Sequence, residues 1–422
     1  MKRVVIVSAK RTPFGRFRGA LAGYSPVDLA VVAGNAVLKR LDRSLVDQVI
    51  LGNVLSAGHG MNIARQVAVK LELPVRTPAF TVNMMCGSGM QSALLAANAI
   101  RAGEARAVLA GGTESMSQSP LLISRPAKGQ SPNLATAVDS MQRDGLVDSF
   151  SNRHMGEQAE ELALAFGVSR DEQDAFAERS QRLFSVAMNS DEFAVEVVPV
   201  GNVVADQHPR PEMTLATLAQ LQPAFQADGT VTGGNASGIN DGAGILLLAE
   251  RDYAMGQGWP VLAEWIDGVI VGCDPARMGL GPVHAIRSLL KRTNREWSDV
   301  DTLEINEAFA AQTLACLREM HLSPGLSAVS KQLKMPSGHV MDFNSEGGAI
   351  AIGHPLAASG ARLLTHLAWK IARGGSRSAI GSLCIGGGMG IAAMLAASPL
   401  KTTRTSYQGS ERRLSRRADR RS

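Results

Sequence analysis

Three short segments of this 422-residue chain each present a side chain able to move protons or make bonds, and a fourth presents a hydrogen-bonding amide. Cys86 stands in Asn83-Met84-Met85-Cys86-Gly87-Ser88-Gly89, and His354 in Gly353-His354-Pro355. Cys384 precedes Ile385-Gly386-Gly387-Gly388, and Asn306 precedes Glu307-Ala308-Phe309-Ala310. A thiolate is a strong nucleophile, and histidine is the usual base that frees it. A second thiol can carry a proton to and from carbon if its pKa lies near working pH. Three consecutive glycines after Cys384 suggest exposed backbone N–H groups suited to a developing oxyanion. Taken singly, each residue also has a plainer reading, because a cysteine packs well as a small buried hydrophobe and a histidine on a turn commonly faces solvent.

The elements that must position these groups read as strands alternating with helices. Ala79, Phe80 and Val82 make an apolar approach to Cys86, and residues 91–100 are rich in alanine and leucine. That is strand, tight turn, helix. It places Cys86 where free helix N–H groups and the positive end of the helix dipole would lower the thiol pKa toward neutrality. Residues 2–9 and 46–54 read as further strands and 28–41 and 62–71 as helices. A strand over 105–110 ends in Gly111-Gly112-Thr113-Glu114-Ser115-Met116. The alternation predicts a mostly parallel sheet covered on both faces, with ligands gathered at the carboxyl ends of its strands.

The chain then departs from this plan and returns to it. Residues 120–244 carry few strand signals, several prolines and a charged helical stretch over 169–189, and read as an inserted loop domain. From 261 the opening plan repeats: 300–306 echoes 46–53, 344–371 echoes the Cys86 segment with His354 at its turn, and 379–394 echoes 108–116 with Cys384 at its turn. The expected organisation is an N-terminal half over 1–119 completed by 245–271, the insertion over 120–244, a C-terminal half over 272–398, and a disordered basic tail over 399–422. Two such halves should pack face to face and bring equivalent turns together.

Composition excludes several classes of function. The net charge of +5 comes from the tail, because residues 1–400 hold 35 basic and 36 acidic side chains. With only 4% aromatics, the body offers no nucleic-acid surface. Four scattered cysteines (Cys86, Cys273, Cys316, Cys384) lack metal or disulfide spacing, and Cys273 and Cys316 read as packing. The opening apolar run stops at Lys10 and Arg11, too short for a signal peptide or a membrane span, so a cytoplasmic protein is expected.

The four reactive segments, in this order, resemble the active-site motifs of the thiolase family over about residues 1–398. The wording around Cys86, His154-Met155-Gly156 and residues 234–242 resembles the acetyl-CoA C-acetyltransferase subgroup. The resemblance implies an α/β thiolase fold of duplicated βαβαβαββ halves in five αβαβα layers. It also implies homodimers or homotetramers, with CoA and acyl-CoA as substrates and neither cofactor nor metal. It implies a ping-pong Claisen reaction, condensing two acetyl-CoA to acetoacetyl-CoA or running as thiolysis. Cys86 would carry the acyl group, His354 accept its proton, and Cys384 exchange the proton at carbon. His354 with a water held by Asn306 would form one oxyanion hole, and the N–H groups of Cys86 and Gly386 the other. Ser237, His154, Met155, Met278 and Phe309 match positions that contact the pantetheine arm, and Arg210 one near the nucleotide. Two departures stand out: Met84, where the family often has a basic residue, and Ala357, where it has glycine.

Other readings use the same residues. A 3-ketoacyl-CoA thiolase for longer chains differs in tunnel depth. A decarboxylating ketoacyl synthase would lack the second thiol. A non-catalytic CoA-binding module would lack one reactive group.

Overall fold

The computed structural model describes residues 2–322, 330–335 and 337–398, so the expected disordered tail lies outside the described residues. The first half supplies β1 (Val4–Arg11), α1 (Pro26–Val37), β2 (Gln48–Gly52), α2 (Ile63–Lys70), β3 (Ala79–Val82), α3 (Ser88–Ala102) and β4 (Ala107–Ser115). After the excursion that carries α4 (Met155–Ala165) and α5 (Arg170–Asn189), β5 (Asn240–Glu250) returns to the sheet. The second half supplies β6 (Ala263–Gly272), α6 (Gly281–Thr293), β7 (Thr302–Ile305), α7 (Ala310–Glu319), β8 (Gln332–Lys334), β9 (Val340–Phe343), α8 (Leu356–Ala372), β10 (Ser378–Ile385) and β11 (Met389–Ala396).

The duplication is visible in the strand order. From the seam where β1 pairs with β6, the sheet runs β1-β5-β4-β2-β3 one way and β6-β11-β10-β7-β9-β8 the other, so corresponding strands occupy corresponding places. The expectation of a mostly parallel sheet needs correction. β2 pairs in parallel with β3 and β4, and β7 with β9 and β10, whereas β1, β5, β6 and β11 all pair antiparallel. Each half closes on a return strand beside its last parallel one. In the second half that return is a tight hairpin, which needs no crossover helix. β4 also runs on through the glycine-rich segment to Ser115 instead of turning there.

α3 and α8 lie together at the centre. Both contact strands of both halves, while α1 covers the outer face of one half and α6 that of the other. Five layers result. The close central crossing explains the small residues: no Cβ fits at Gly89, which faces the Ala357 carbonyl and Ala361, or at Gly112, which faces the same carbonyl. α8 is buried along nearly its whole length and contributes to one apolar cluster with Ala93, Ala96, Ala97 and Ile100 of α3. Both central helices begin at reactive residues, α3 just after Cys86 and α8 just after His354. No helix among the described residues is long and apolar enough to cross a membrane.

α8 also carries a buried charge network. His366 Nδ1 lies 3.1 Å from Glu196, and Nε2 lies 3.2 Å from Glu346 and 3.4 Å from Glu304. These three atoms are the His/carboxylate group that could hold a cation, but Arg362 already pairs with Glu304, Lys370 with Glu346 and Arg11 with Glu196. Burial opposes charge on His366, yet Glu304, Glu196 and Glu346 outweigh it and raise its pKa to about 9. With the folded pKa above the ordinary 6.5, the stabilisation is complete below about pH 6.5. It is lost as pH rises through about 9, on the order of 3 kcal/mol in all. Melting temperature should therefore fall between about pH 6.5 and 9, and His366→Gln should flatten that dependence. An equal alkaline decline in the variant would show that His366 is not its source.

Candidate active site

Cys86 follows Met85, whose φ of 47° puts a non-glycine residue in the left-handed region and swings the chain from β3 into α3. Such strain persists only where the surroundings enforce it. Here Ser88 Oγ accepts from the Met84 N–H at 2.8 Å and donates to the Met85 carbonyl at 2.6 Å. The Cys86 thiol is half-buried, and it meets the backbone N–H groups of Gly386 and of Cys86 itself. These are the two donors that the family resemblance implies for one oxyanion hole. The expected low thiol pKa is not found. Burial pushes it up to about 12, the two N–H groups oppose that, and the Glu114 charge adds to it. The thiol is therefore protonated at rest and needs a base at the moment of attack.

His354 has the protonation state of such a base. Burial, reinforced by the Arg362 charge, lowers its pKa to about 4, which keeps the ring neutral. Ser359 Oγ lies 2.9 Å from the Pro355 carbonyl and 2.6 Å from His354 Nδ1, so the hydroxyl ties that side of the ring to the first turn of α8. Nε2 is buried and has no hydrogen-bond partner among the described residues. The His354 turn is held by Asn240, whose Oδ1 accepts the His354 N–H at 3.0 Å while its Nδ2 donates to the Gly15 carbonyl at 2.8 Å. Gly353 has φ 106° and no room for a Cβ beside Asn240, so only glycine fits. Asn306 is buried with Nδ2 3.5 Å from His354 Nδ1, too long to count as a strong bond.

Cys384 is 2% exposed near the end of β10. Burial raises its pKa well above the usual thiol value, and the largest charge adding to that is Cys86. The turn after Cys384 reaches the Cys86 turn: the Ile385 side chain lies against Gly87, and the Gly386 N–H faces the Cys86 thiol. Around Cys384 pack Met155, Ala236, Met278, Ala308 and Phe309, and Met155 lies directly over Gly386. His154 stacks on Phe225 at 4.7 Å, and Phe225 meets Phe309 edge-on at 6.0 Å. Ser237 borders this wall, its N–H donating to the Ala308 carbonyl at 3.0 Å. Arg210 donates to the Gly233 carbonyl at 3.2 Å, with Arg16 close enough to act on its charge. The helices α3, α4, α7 and α8 begin one or two residues after Cys86, His154, Phe309 and His354 respectively.

Residues 4–252 match the family described as thiolase, N-terminal domain, and residues 259–397 match thiolase, C-terminal domain. The chain belongs to the thiolase family. It is 44% identical over 411 residues to a Pseudomonas aeruginosa protein named acetyl-CoA acetyltransferase, covering 94% of this chain and all of that one. It is 45% identical over 407 residues to a Staphylococcus aureus protein named probable acetyl-CoA acyltransferase, covering 94% and 99%. Among solved structures, human mitochondrial 3-ketoacyl-CoA thiolase is similar at TM-score 0.86 and 38% identity, and Bacillus anthracis acetyl-CoA acetyltransferase at 0.87 and 37%. Each covers 94% of this chain and 99% of its own. This thiolase is thus an acyltransferase with the fold the motifs implied.

Both departures in this thiolase are accommodated. Ala357 occupies the first turn of α8 without positive φ, and Met84 packs beside Gly87. Sequence reasoning passed over Asn240, Ser359, Glu114 and Phe225. The first three stood inside quoted segments, but their partners lie far along the chain, and Phe225 belongs to no motif. Cys316 is packed as expected, its thiol donating to the Gly279 carbonyl at 3.0 Å. Cys273, read as packing, is instead half-exposed beside the Gly386–Gly388 turn, its N–H donating to the Gly388 carbonyl at 2.8 Å.

Proposed function

We propose that this thiolase transfers short acyl groups between CoA thioesters through an acyl-Cys86 intermediate, interconverting acetoacetyl-CoA plus CoA and two acetyl-CoA. In thiolysis, the Cys86 sulfur attacks the 3-keto carbon and its proton passes to His354 Nε2. The carbonyl oxygen becomes an oxyanion facing the N–H groups of Cys86 and Gly386. The carbon–carbon bond then breaks, and the Cys384 thiol gives its proton to the departing acetyl-CoA enolate, which His354 and an Asn306-held water would stabilise. CoA thiol attacks acetyl-Cys86, its proton passing to the Cys384 thiolate, and His354 returns its proton to Cys86. Condensation is the reverse. Neither cofactor nor metal enters any step.

The observation that supports this reading is the Gly386 N–H at the Cys86 thiol, which brings the turn two residues after Cys384 to the candidate nucleophile, while burial keeps His354 neutral. A short acyl substrate follows the relatives named acetyl-CoA acetyltransferase, and Met155, Met278 and Phe309, clustered with Cys384, would supply an apolar wall for pantetheine. Ser237 and His154 would contact the pantetheine arm and Arg210 the nucleotide. A dimer or tetramer fits the edge strand β3, which pairs only with β2 among the described residues. The test mixes the enzyme with acetoacetyl-CoA and CoA and follows loss of the 3-ketoacyl absorbance. Turnover is expected to fall as the ketoacyl chain lengthens; turnover of long chains alone would replace this reading with that of a longer-chain 3-ketoacyl-CoA thiolase.

A further inference from the structure

Glu114 is wholly buried near the end of β4, and both of its oxygens are fully used. Oε1 accepts from the Leu55 N–H at 3.0 Å and from Asn53 Nδ2 at 2.9 Å. Oε2 accepts from the Val54 N–H at 3.1 Å and from the Ala357 N–H at 3.0 Å. The Ala357 bond matters most. A helix leaves its first N–H groups unpaired, and α8 has no side-chain cap of its own, since it starts from Pro355. A carboxylate 243 residues away in sequence supplies what Pro355 cannot.

The residues so gripped are those on which the reacting groups rest. Val54, Leu55, Leu356 and Ala357 form one apolar cluster with Met116 and Met141, and Met85 and Cys86 pack against it. His354 lies three residues before Ala357, on the turn that opens α8. Four N–H donors and the α8 dipole favour a charged carboxylate, while burial opposes it and pushes the Glu114 pKa up to about 7. Its charge reaches Cys86.

We propose that Glu114 is a positioning residue for acyl transfer: by holding the 53–55 loop and the first turn of α8 on one carboxylate, it sets the His354 turn against the Cys86 turn. This rests on the acyl-cysteine reading above and adds a role that none of the four motif residues fills. Displacing a base by about 1 Å can cost about 100-fold in rate, so the expected signature is a loss in kcat with little change in KM.

The experiment compares wild type, Glu114→Gln and Glu114→Asp, each first shown by circular dichroism to be folded at assay temperature. Acetoacetyl-CoA thiolysis is measured together with the pH midpoint for alkylation of Cys86 by iodoacetamide, read by mass on the Cys86 peptide. In Glu114→Gln, kcat should fall about 10- to 100-fold with KM within about threefold, because an amide nitrogen now faces backbone donors. Its alkylation midpoint should move to lower pH, because the nearby charge is gone. Glu114→Asp keeps the charge and loses the reach, so its midpoint should stay near wild type while kcat remains low. Unchanged kcat in Glu114→Gln, or a loss in both variants matched by loss of folded protein, overturns the proposal. Cys86→Ala in the same assay separates the levels. If that variant turns over, the acyl-cysteine reading fails; if it is dead while Glu114→Gln is normal, only the role of Glu114 fails.

Discussion

Cys86→Ala is expected to abolish turnover of acetoacetyl-CoA, by three orders of magnitude or more, because no other group in the site can form the acyl-enzyme. The neighbouring thiol cannot substitute. Cys384 is 2% exposed, held in β10, and surrounded by Met155, Met278 and Phe309, so its sulfur lacks the paired N–H groups that meet Cys86. The readout is the mass of the intact protein after brief exposure to acetyl-CoA. Wild type should gain one acetyl group on the Cys86 peptide and Cys86→Ala none. Acetylation of another cysteine with retained turnover would assign the nucleophile elsewhere. The protonation states sharpen the expectation. With the thiol pushed up to about 12 and the imidazole down to about 4, no resting ion pair is expected, so the thiol proton has to leave in the course of the attack. Iodoacetamide should accordingly label Cys86 slowly at neutral pH compared with a thiolate-type cysteine.

Cys384→Ala should separate the two half-reactions. Acylation of Cys86 needs His354 and the Gly386 N–H, both of which the variant keeps, so the acetyl mass gain should remain within a fewfold of wild type. Thiolysis and condensation need a proton given to or taken from carbon, and removing a positioned acid or base typically costs about 100- to 10,000-fold. Burial raises the Cys384 pKa well above the ordinary thiol value, so the group rests protonated, the state in which it can protonate the departing enolate. Exchange of the acetyl-CoA methyl protons with deuterated water gives an independent readout: wild type should catalyse it and Cys384→Ala should not. A variant unable to acylate Cys86 would show that the division of labour between the thiols is wrong.

The reacting groups were legible because each sits on a turn whose chemistry is local. A cysteine or histidine framed by glycine, next to an apolar strand and an alanine-rich helix, declares its type and its place at a strand end. The internal repeat was legible for the same reason, since 46–53 and 300–306 share an apolar strand ending in asparagine. The sheet's antiparallel seam was not, because nothing in β1 or β6 distinguishes a buried strand that pairs antiparallel from one that pairs in parallel. The thiol pKa was misjudged because a helix dipole can be read from sequence, whereas desolvation depends on what else covers the sulfur.

Residue type and local spacing alone determined that this chain carries two thiols, an imidazole and an amide on four turns of a duplicated α/β scaffold, and so which bonds it could make. The three-dimensional packing alone decided which ring nitrogen of His354 is free, that Ser359 and Asn240 hold it, and that Glu114 joins the loop after β2 to the start of α8. Hydrogen-bond direction and burial are relations between residues hundreds of positions apart, and a linear order of side chains carries neither.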